Sequence, residues 1–186
     1  NDAFSCSHRD HASVSKITRY IPSYSGIQIN AEVNALNKIT SEIKKPITCI
    51  IGGSKISSKI NIIKNLIPKF NSIIIVGAMA NNIMKFKGLK IGRSVYEKNI
   101  DYIIQEIFTY AEKNKCKIYF PKDVKIGKKL NDKSFEKDFK DIEDDDMILD
   151  VGSKTLVEIK RIIDDSSTIL WNCLLYTSDA ADERSC

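Results

Sequence analysis

Two lysines four residues apart, Lys55 and Lys59, follow closely on the adjacent glycines Gly52 and Gly53. Ahead of them runs an apolar stretch, Ile47-Thr48-Cys49-Ile50-Ile51, and behind them a helical pattern. A strand that feeds a helix through two glycines leaves backbone N–H groups unpaired at the turn, with the positive end of the helix dipole behind them. That combination suits a phosphate group, and lysines at i and i+4 on one helix face can reach the same anion. The chemistry indicated is nucleotide phosphate binding and, with it, phosphoryl transfer. The stretch fits neither G-x-x-x-x-G-K-[ST] nor G-x-G-x-x-G, so a tight turn carrying two solvated lysines stands as the alternative.

Other reactive residue types are less organised. His8 and His11 form an H-x-x-H pair on an expected helix face, with no third ligand in sight, which argues against zinc. The acidic run Glu143-Asp144-Asp145-Asp146 reads as a solvated loop, and no metal-ligating residue is assigned. The five cysteines, Cys6, Cys49, Cys116, Cys173 and Cys186, make no C-x-x-C pair. Cys49 and Cys116 sit in apolar contexts and read as reduced core residues, which points to a reducing cytoplasm.

Short apolar runs at 47–51, 73–76, 117–120, 147–151 and 168–171 must position these groups. None alternates cleanly, so both faces of each strand are expected to be buried, as in a parallel sheet. Between them lie helical patterns. Ile56, Ile60, Ile63 and Ile67 share one face, as do Ile100, Ile103, Ile104, Ile107 and Ala111 behind Asn99 as N-cap. A third helix, about 154–163, carries Leu156, Ile159 and Ile163. The alternation predicts an α/β fold, a Rossmann-like parallel sheet with helices on both faces. Ligands in such sheets gather at the carboxyl ends of the strands, where Gly52 and Gly53 fall. Before the first strand, Ile29, Val33, Leu36, Ile39 and Ile43 predict a further helix that Pro46 ends.

The bulk properties fit one domain, or one domain and a piece of another, at 186 residues, 42% hydrophobic and 28% charged. No apolar run approaches the roughly 20 residues of a membrane span. The net charge of +5 rests on 24 lysines and 5 arginines scattered among many Ile and Asn. No aromatic residues interleave a basic cluster, so nucleic acid is not an expected partner. The start, Asn1-Asp2-Ala3-Phe4, has no initiator Met and no signal-peptide pattern, and reads as the middle of a longer protein.

At this point the residues resemble the phosphoglycerate kinase family over roughly 1–172. Asn1-Asp2-Ala3-Phe4 with His8-Arg9 and His11-Ala12-Ser13 is similar to N-D-A-F…H-R-x-H-A-S, and Pro22-Ser23-Tyr24-Ser25-Gly26 to P-S-x-A-G. Gly52-Gly53-Ser54-Lys55-Ile56 with Lys59-Ile60 resembles G-G-[AS]-K-[VI]-x-x-K-[IL]. Gly77-Ala78-Met79-Ala80-Asn81 resembles G-G-M-A-N, and Ile91-Gly92-Arg93-Ser94 resembles V-G-x-S. Pro121-Lys122-Asp123-Val124, Leu149-Asp150-Val151-Gly152 and Leu170-Trp171-Asn172 resemble P-x-D-V, L-D-I-G and L-W-N. Each motif is weak alone; their shared order and spacing carry the resemblance.

The resemblance implies a cytoplasmic, monomeric glycolytic enzyme of two Rossmann-like lobes. It transfers a phosphoryl group between 1,3-bisphosphoglycerate and Mg-ADP, giving 3-phosphoglycerate and ATP. Residues 1–26 would end the substrate lobe, 27–45 would form the connecting helix that carries lobe closure, and 46–172 would be most of the nucleotide lobe. Arg9, with His8 nearby, would hold the 3-phosphoglycerate end. Lys55 would be catalytic, following the migrating phosphoryl group, and Lys59 would hold the α-phosphate side. Gly53 and Ser54 would line the phosphate turn, Gly77 and Ala78 the adenine pocket, and Leu149 and Asn172 the rest of the nucleoside pocket. Mg²⁺ would arrive with ADP or ATP, its protein ligand belonging to a later segment absent from this sequence.

The sequence also departs from the pattern. Val76 stands where the family usually has glycine, and Ser153 where it has proline. From Cys173 onward the expected G-P-x-G-x-F-E is not present. The last 14 residues hold no Lys, Ile or Asn, although these make up 68 of the preceding 172. Residues 173–186 are therefore expected to be a non-native tail on a fragment that does not catalyse by itself. The alternative is a catalytically dead α/β nucleotide-binding module. A dinucleotide enzyme is disfavoured, because no G-x-G-x-x-G and no ribose-binding acid follow the first strand.

Overall fold

The computed structural model describes residues 1–41, 44–129 and 133–173, in two compact units, residues 1–44 and 45–186. Of the expected tail, 173–186, only Cys173 is among the described residues; the rest of it and the stripe residue Ile43 lie outside them.

The first unit is a set of short turns followed by helix α1, Ile27–Ser41. Its opening residues fasten the start of that helix. Asp2 Oδ1 accepts from Ile29 N at 3.1 Å, and Gly26 N donates to Asn1 O at 2.8 Å. A Cβ on Gly26 would lie 2.3 Å from the Asp2 carboxyl, so the glycine that closes the Pro22–Gly26 turn leaves room for a capping acid. His8 and His11 do not share a helix face: His8 lies in a turn, and His11 precedes a π-helical turn over Ala12–Lys16.

The second unit is built on a parallel sheet of β1 (Ile47–Ile51), β2 (Ser72–Ile75), β3 (Lys117–Tyr119) and β7 (Thr168–Asn172), in the order β3-β2-β1-β7. Cys49 pairs with Ile73 on one side and Leu170 on the other. Every residue of β1 is buried, which is why its sequence shows no alternation. Ile50 and Ile74 face α5 (Ser153–Asp164), packing on Ile162 with Val76, Tyr119, Ile159 and Ile163 around them. Cys49, Ile51, Ile73 and Ile75 are equally inaccessible. Helix α2 (Ile60–Leu66) packs on α4 (Asp101–Lys113), and the two bring Ile63, Ile103, Ile104, Ile107 and Ala111 into the core. Helix α3 (Ala78–Phe86) follows β2 directly.

Four further expectations are corrected. Residues 147–151 form a strand, β6, but in a separate antiparallel sheet of β5 (Phe135–Lys137), β4 (Val124–Gly127) and β6. A short apolar run cannot reveal its partners, and Asp150 within it is exposed. Asn99 does not cap α4; it adopts φ +58°, and Ile100 holds the cap position with no side-chain hydrogen bond. Leu156 is 47% exposed, because α5 turns Ile159, Ile162 and Ile163 to the sheet. The acidic run is not merely solvated either: Asp146 is fully buried, 2.9 Å from both Lys128 Nζ and Lys137 Nζ. Burial pushes its carboxyl up, but the Glu143 amide and the two ammonium groups outweigh this and hold it well below the usual carboxylate range.

Candidate functional site

The carboxyl ends of β1, β2 and β7 meet at the paired glycines. Gly52 N donates to Asn172 O at 3.0 Å, Val76 N to Ile51 O at 3.0 Å, and Met79 N to Gly53 O at 2.9 Å. Glycine is favoured at Gly53 by its backbone. Gly53 has φ +147°, and a Cβ on it would lie 3.3 Å from Met79 Sδ and 3.5 Å from Lys59 Cε. A Cβ on Gly52 would lie 2.3 Å from Cys173 Sγ. Gly77, at φ +66°, starts α3 beside the Gly53 backbone.

Lys59 lies across this turn. Its Nζ donates to Gly52 O at 2.9 Å and to Asn172 Oδ1 at 2.8 Å. Two of the three ammonium donors are thereby used among the described residues, and the third is left for an incoming acceptor. A cation held by two carbonyl oxygens, at the ends of parallel strands and beside glycine backbone, can receive an oxyanion such as a phosphate.

The helix starts later than the sequence suggested. Lys55 precedes the helix, which begins as a 3₁₀ turn over Ser57–Lys59 and continues as the seven-residue α2. Its amino end is already capped by a carboxylate that no sequence motif singles out. Glu97 Oε2 accepts from Ser57 N at 3.1 Å, and Glu97 Oε1 accepts from the Ser57 hydroxyl. Burial pushes the Glu97 carboxyl up. The Ser57 and Ile56 hydrogen bonds and the Lys55 charge outweigh this and hold it below the usual carboxylate range. Glu97 N in turn donates to Asn82 Oδ1 at 2.6 Å, and the buried Asn82 amide bonds back to Ala78 O at 3.3 Å. Glu97 and Asn82 were missed because their partners are 40 and 15 residues away and no local spacing marks them.

The structure thus brings Gly53, Lys59, Asn172 and the Gly77–Ala78 start of α3 together. Ser54 and Lys55 are exposed on the adjoining loop. Leu149 lies on β6 in the second sheet, close over Gly127, where a Cβ would sit 2.7 Å from Leu149 Cδ1. Arg9 and His8 are exposed in the first unit. A cavity of about 230 Å³ lined by Asn82, Lys85, Tyr96, Glu97, Asn99 and Asp101 opens beside Glu97 and not over the glycine turn. As for a magnesium ion, the described oxygens at the turn, Gly52 O and Asn172 Oδ1, are both taken by Lys59, and Glu97 is taken by Ser57. The described residues at the turn therefore do not fit as ligands for the metal.

Comparison with known proteins extends this geometry. The family model described as phosphoglycerate kinase matches residues 1–175. A phosphoglycerate kinase of Wolbachia pipientis wMel is 44% identical over 173 residues, covering 92% of this chain and 44% of the relative. That of Maricaulis maris is 38% identical over 174 residues, with 92% and 43% covered. The solved phosphoglycerate kinase of Coxiella burnetii superposes with a TM-score of 0.80 at 29% identity, over 91% of this chain and 44% of that one. The enzyme of Pyrococcus horikoshii OT3 superposes at 0.70 with 21% identity over 92% and 44%, a likeness of fold. The chain spans about 44% of the length of the curated relatives it matches.

Proposed function

The chain belongs to the phosphoglycerate kinase family, and on that premise we propose that its second unit binds ADP or ATP at the glycine turn and serves phosphoryl transfer between 1,3-bisphosphoglycerate and Mg-ADP. The observation that carries this reading is the Lys59 ammonium held by Gly52 O and Asn172 Oδ1. It puts a positive charge, with a third donor left among the described residues, against the Gly53 backbone, whose φ of +147° side-chain-bearing residues rarely adopt.

In this assignment Lys59 meets the α-phosphate side, and the exposed Lys55 follows the transferring group and offsets charge on its oxygens. Gly53 and Ser54 admit the phosphates to the backbone. Gly77 and Ala78 receive the base, Leu149 and Asn172 complete the nucleoside contacts, and Arg9 with His8 takes the phosphate of 3-phosphoglycerate. Mg²⁺ accompanies the nucleotide. The protein is assigned to the cytoplasm as a monomer, with neither nucleic acid nor membrane as partner; among the described residues no helix is long and apolar enough to cross a membrane.

Titrating ADP, Mg-ADP and NAD into the chain tests the assignment. ADP should bind, and Lys59→Ala should weaken it about tenfold, the loss of one charge-assisted contact. Binding of NAD without a response to ADP would sink it.

A further inference from the structure

We infer that Glu97 is a positioning residue of the nucleotide site, fixing the loop that carries Lys55 and tying that loop to the start of α3. The inference rests on the nucleotide reading above. Glu97 grips the chain two residues after Lys55, through the Ser57 amide at 3.1 Å and the Ser57 hydroxyl. Its own amide donates to Asn82 Oδ1 at 2.6 Å. Asn82 is buried and returns its amide to Ala78 O at 3.3 Å and Met79 O at 3.4 Å. Met79 N meanwhile donates to Gly53 O at 2.9 Å. A closed circuit results: Gly53 to Met79, Asn82 to Glu97, Glu97 to Ser57, and back along the chain through Lys55.

The circuit has a purpose that helix capping alone lacks. Residues 54 to 56 form neither a strand nor the following helix, so backbone pairing does not set where Lys55 points. Ser58 Oγ holds the Lys55 carbonyl at 2.9 Å from within the same turn. Glu97 supplies the anchor from outside that turn. Ordering the loop before a nucleotide arrives removes that entropic cost from binding. The benefit should fall on the phosphates, which Lys55 and Lys59 meet in the assignment above, and not on the base.

Two ligands separate this role from a merely structural one. ADP and adenosine are titrated into the full chain and into Glu97→Ala, Glu97→Gln and Ser57→Ala, each at matched folded fraction by circular dichroism. Glu97→Ala should weaken ADP about tenfold and adenosine less than twofold. Glu97→Gln, which keeps an acceptor for Ser57, should recover most of the loss. Ser57→Ala should show a smaller loss with the same ADP preference, and it serves if Glu97→Ala does not fold. Equal weakening of both ligands, or none, overturns the positioning role. Lys59→Ala keeps the two readings apart: if it weakens ADP while the Glu97 and Ser57 variants leave the ADP-to-adenosine ratio unchanged, only the role of Glu97 fails. If the unsubstituted chain ignores ADP, the nucleotide reading fails and this inference with it.

Discussion

Lys59 Nζ donates to Asn172 Oδ1 at 2.8 Å across 113 residues of sequence, joining the turn after β1 to the end of the strand beside it. The amide oxygen orients the ammonium without cancelling its charge. Asn172→Asp should therefore damage the site more than Asn172→Ala. A carboxylate there pairs with Lys59 and repels phosphate, whereas alanine only loosens the lysine. Calorimetric titration should show ADP weakened about tenfold by the aspartate and about threefold by the alanine. The reverse order would mean that the Lys59 charge does not serve the ligand.

Gly53→Ala should cost about 1–3 kcal/mol of stability, because its φ of +147° is one that side-chain-bearing residues rarely adopt. The new methyl would also press on Met79 Sδ at 3.3 Å and, in the proposed site, crowd the backbone that admits the phosphates. Urea unfolding reads the first effect and ADP titration the second. A Gly53→Ala chain with unchanged unfolding midpoint would contradict a positive φ at this residue.

The strands and helices around the site could be read from sequence where burial is two-sided or periodic. The uninterrupted Ile47–Ile51 run and the isoleucine face of α4 are examples. The glycine turn and its lysines were legible because glycine at a strand end is informative by itself. What could not be read was long-range. The strands β4 and β5 are three or four residues long, and their lysines and glutamate mask any pattern. Glu97 is one carboxylate among many until the fold carries it to Ser57. Two motifs shared with the family prove architectural: Asp123 caps α5, and Gly152 is glycine because a Cβ would fall 2.4 Å from that carboxylate.

Asp123 makes stability depend on pH. It accepts from Lys154 N at 2.9 Å and Thr155 N at 2.8 Å, and also from the Thr155 hydroxyl at 2.5 Å. Burial raises its pKa, but these bonds and the Lys154 charge lower it further, so the net shift is downward. A carboxyl whose pKa is depressed by folding stabilises above its unfolded value, about 3.9, and loses that contribution as pH falls through the folded value. Asp123→Asn should cost about 1 kcal/mol at pH 7. The gap in urea midpoint between the two chains should narrow below about pH 4. A gap independent of pH would show that the cap does not need its charge.

Cysteine labelling checks the core in which the site is set. Burial pushes the Cys49 thiol up to about 12, with Cys116 adding to the rise and Lys59 opposing it, and burial pushes Cys116 up to about 11. The thiolate is the reactive form, so at pH 8 only about one Cys49 in ten thousand and one Cys116 in a thousand would be reactive even if reached. Cys6 and Cys173 are only half-buried, so reagent can reach them. Iodoacetamide at pH 8, followed by peptide mass analysis, should modify Cys6 and Cys173 and spare Cys49 and Cys116 until urea unfolds the chain. Labelling of Cys49 at the rate of Cys6 would mean that β1 is not enclosed between β2 and β7, and the turn that holds Lys59 would lose the rigid strand end on which its geometry depends.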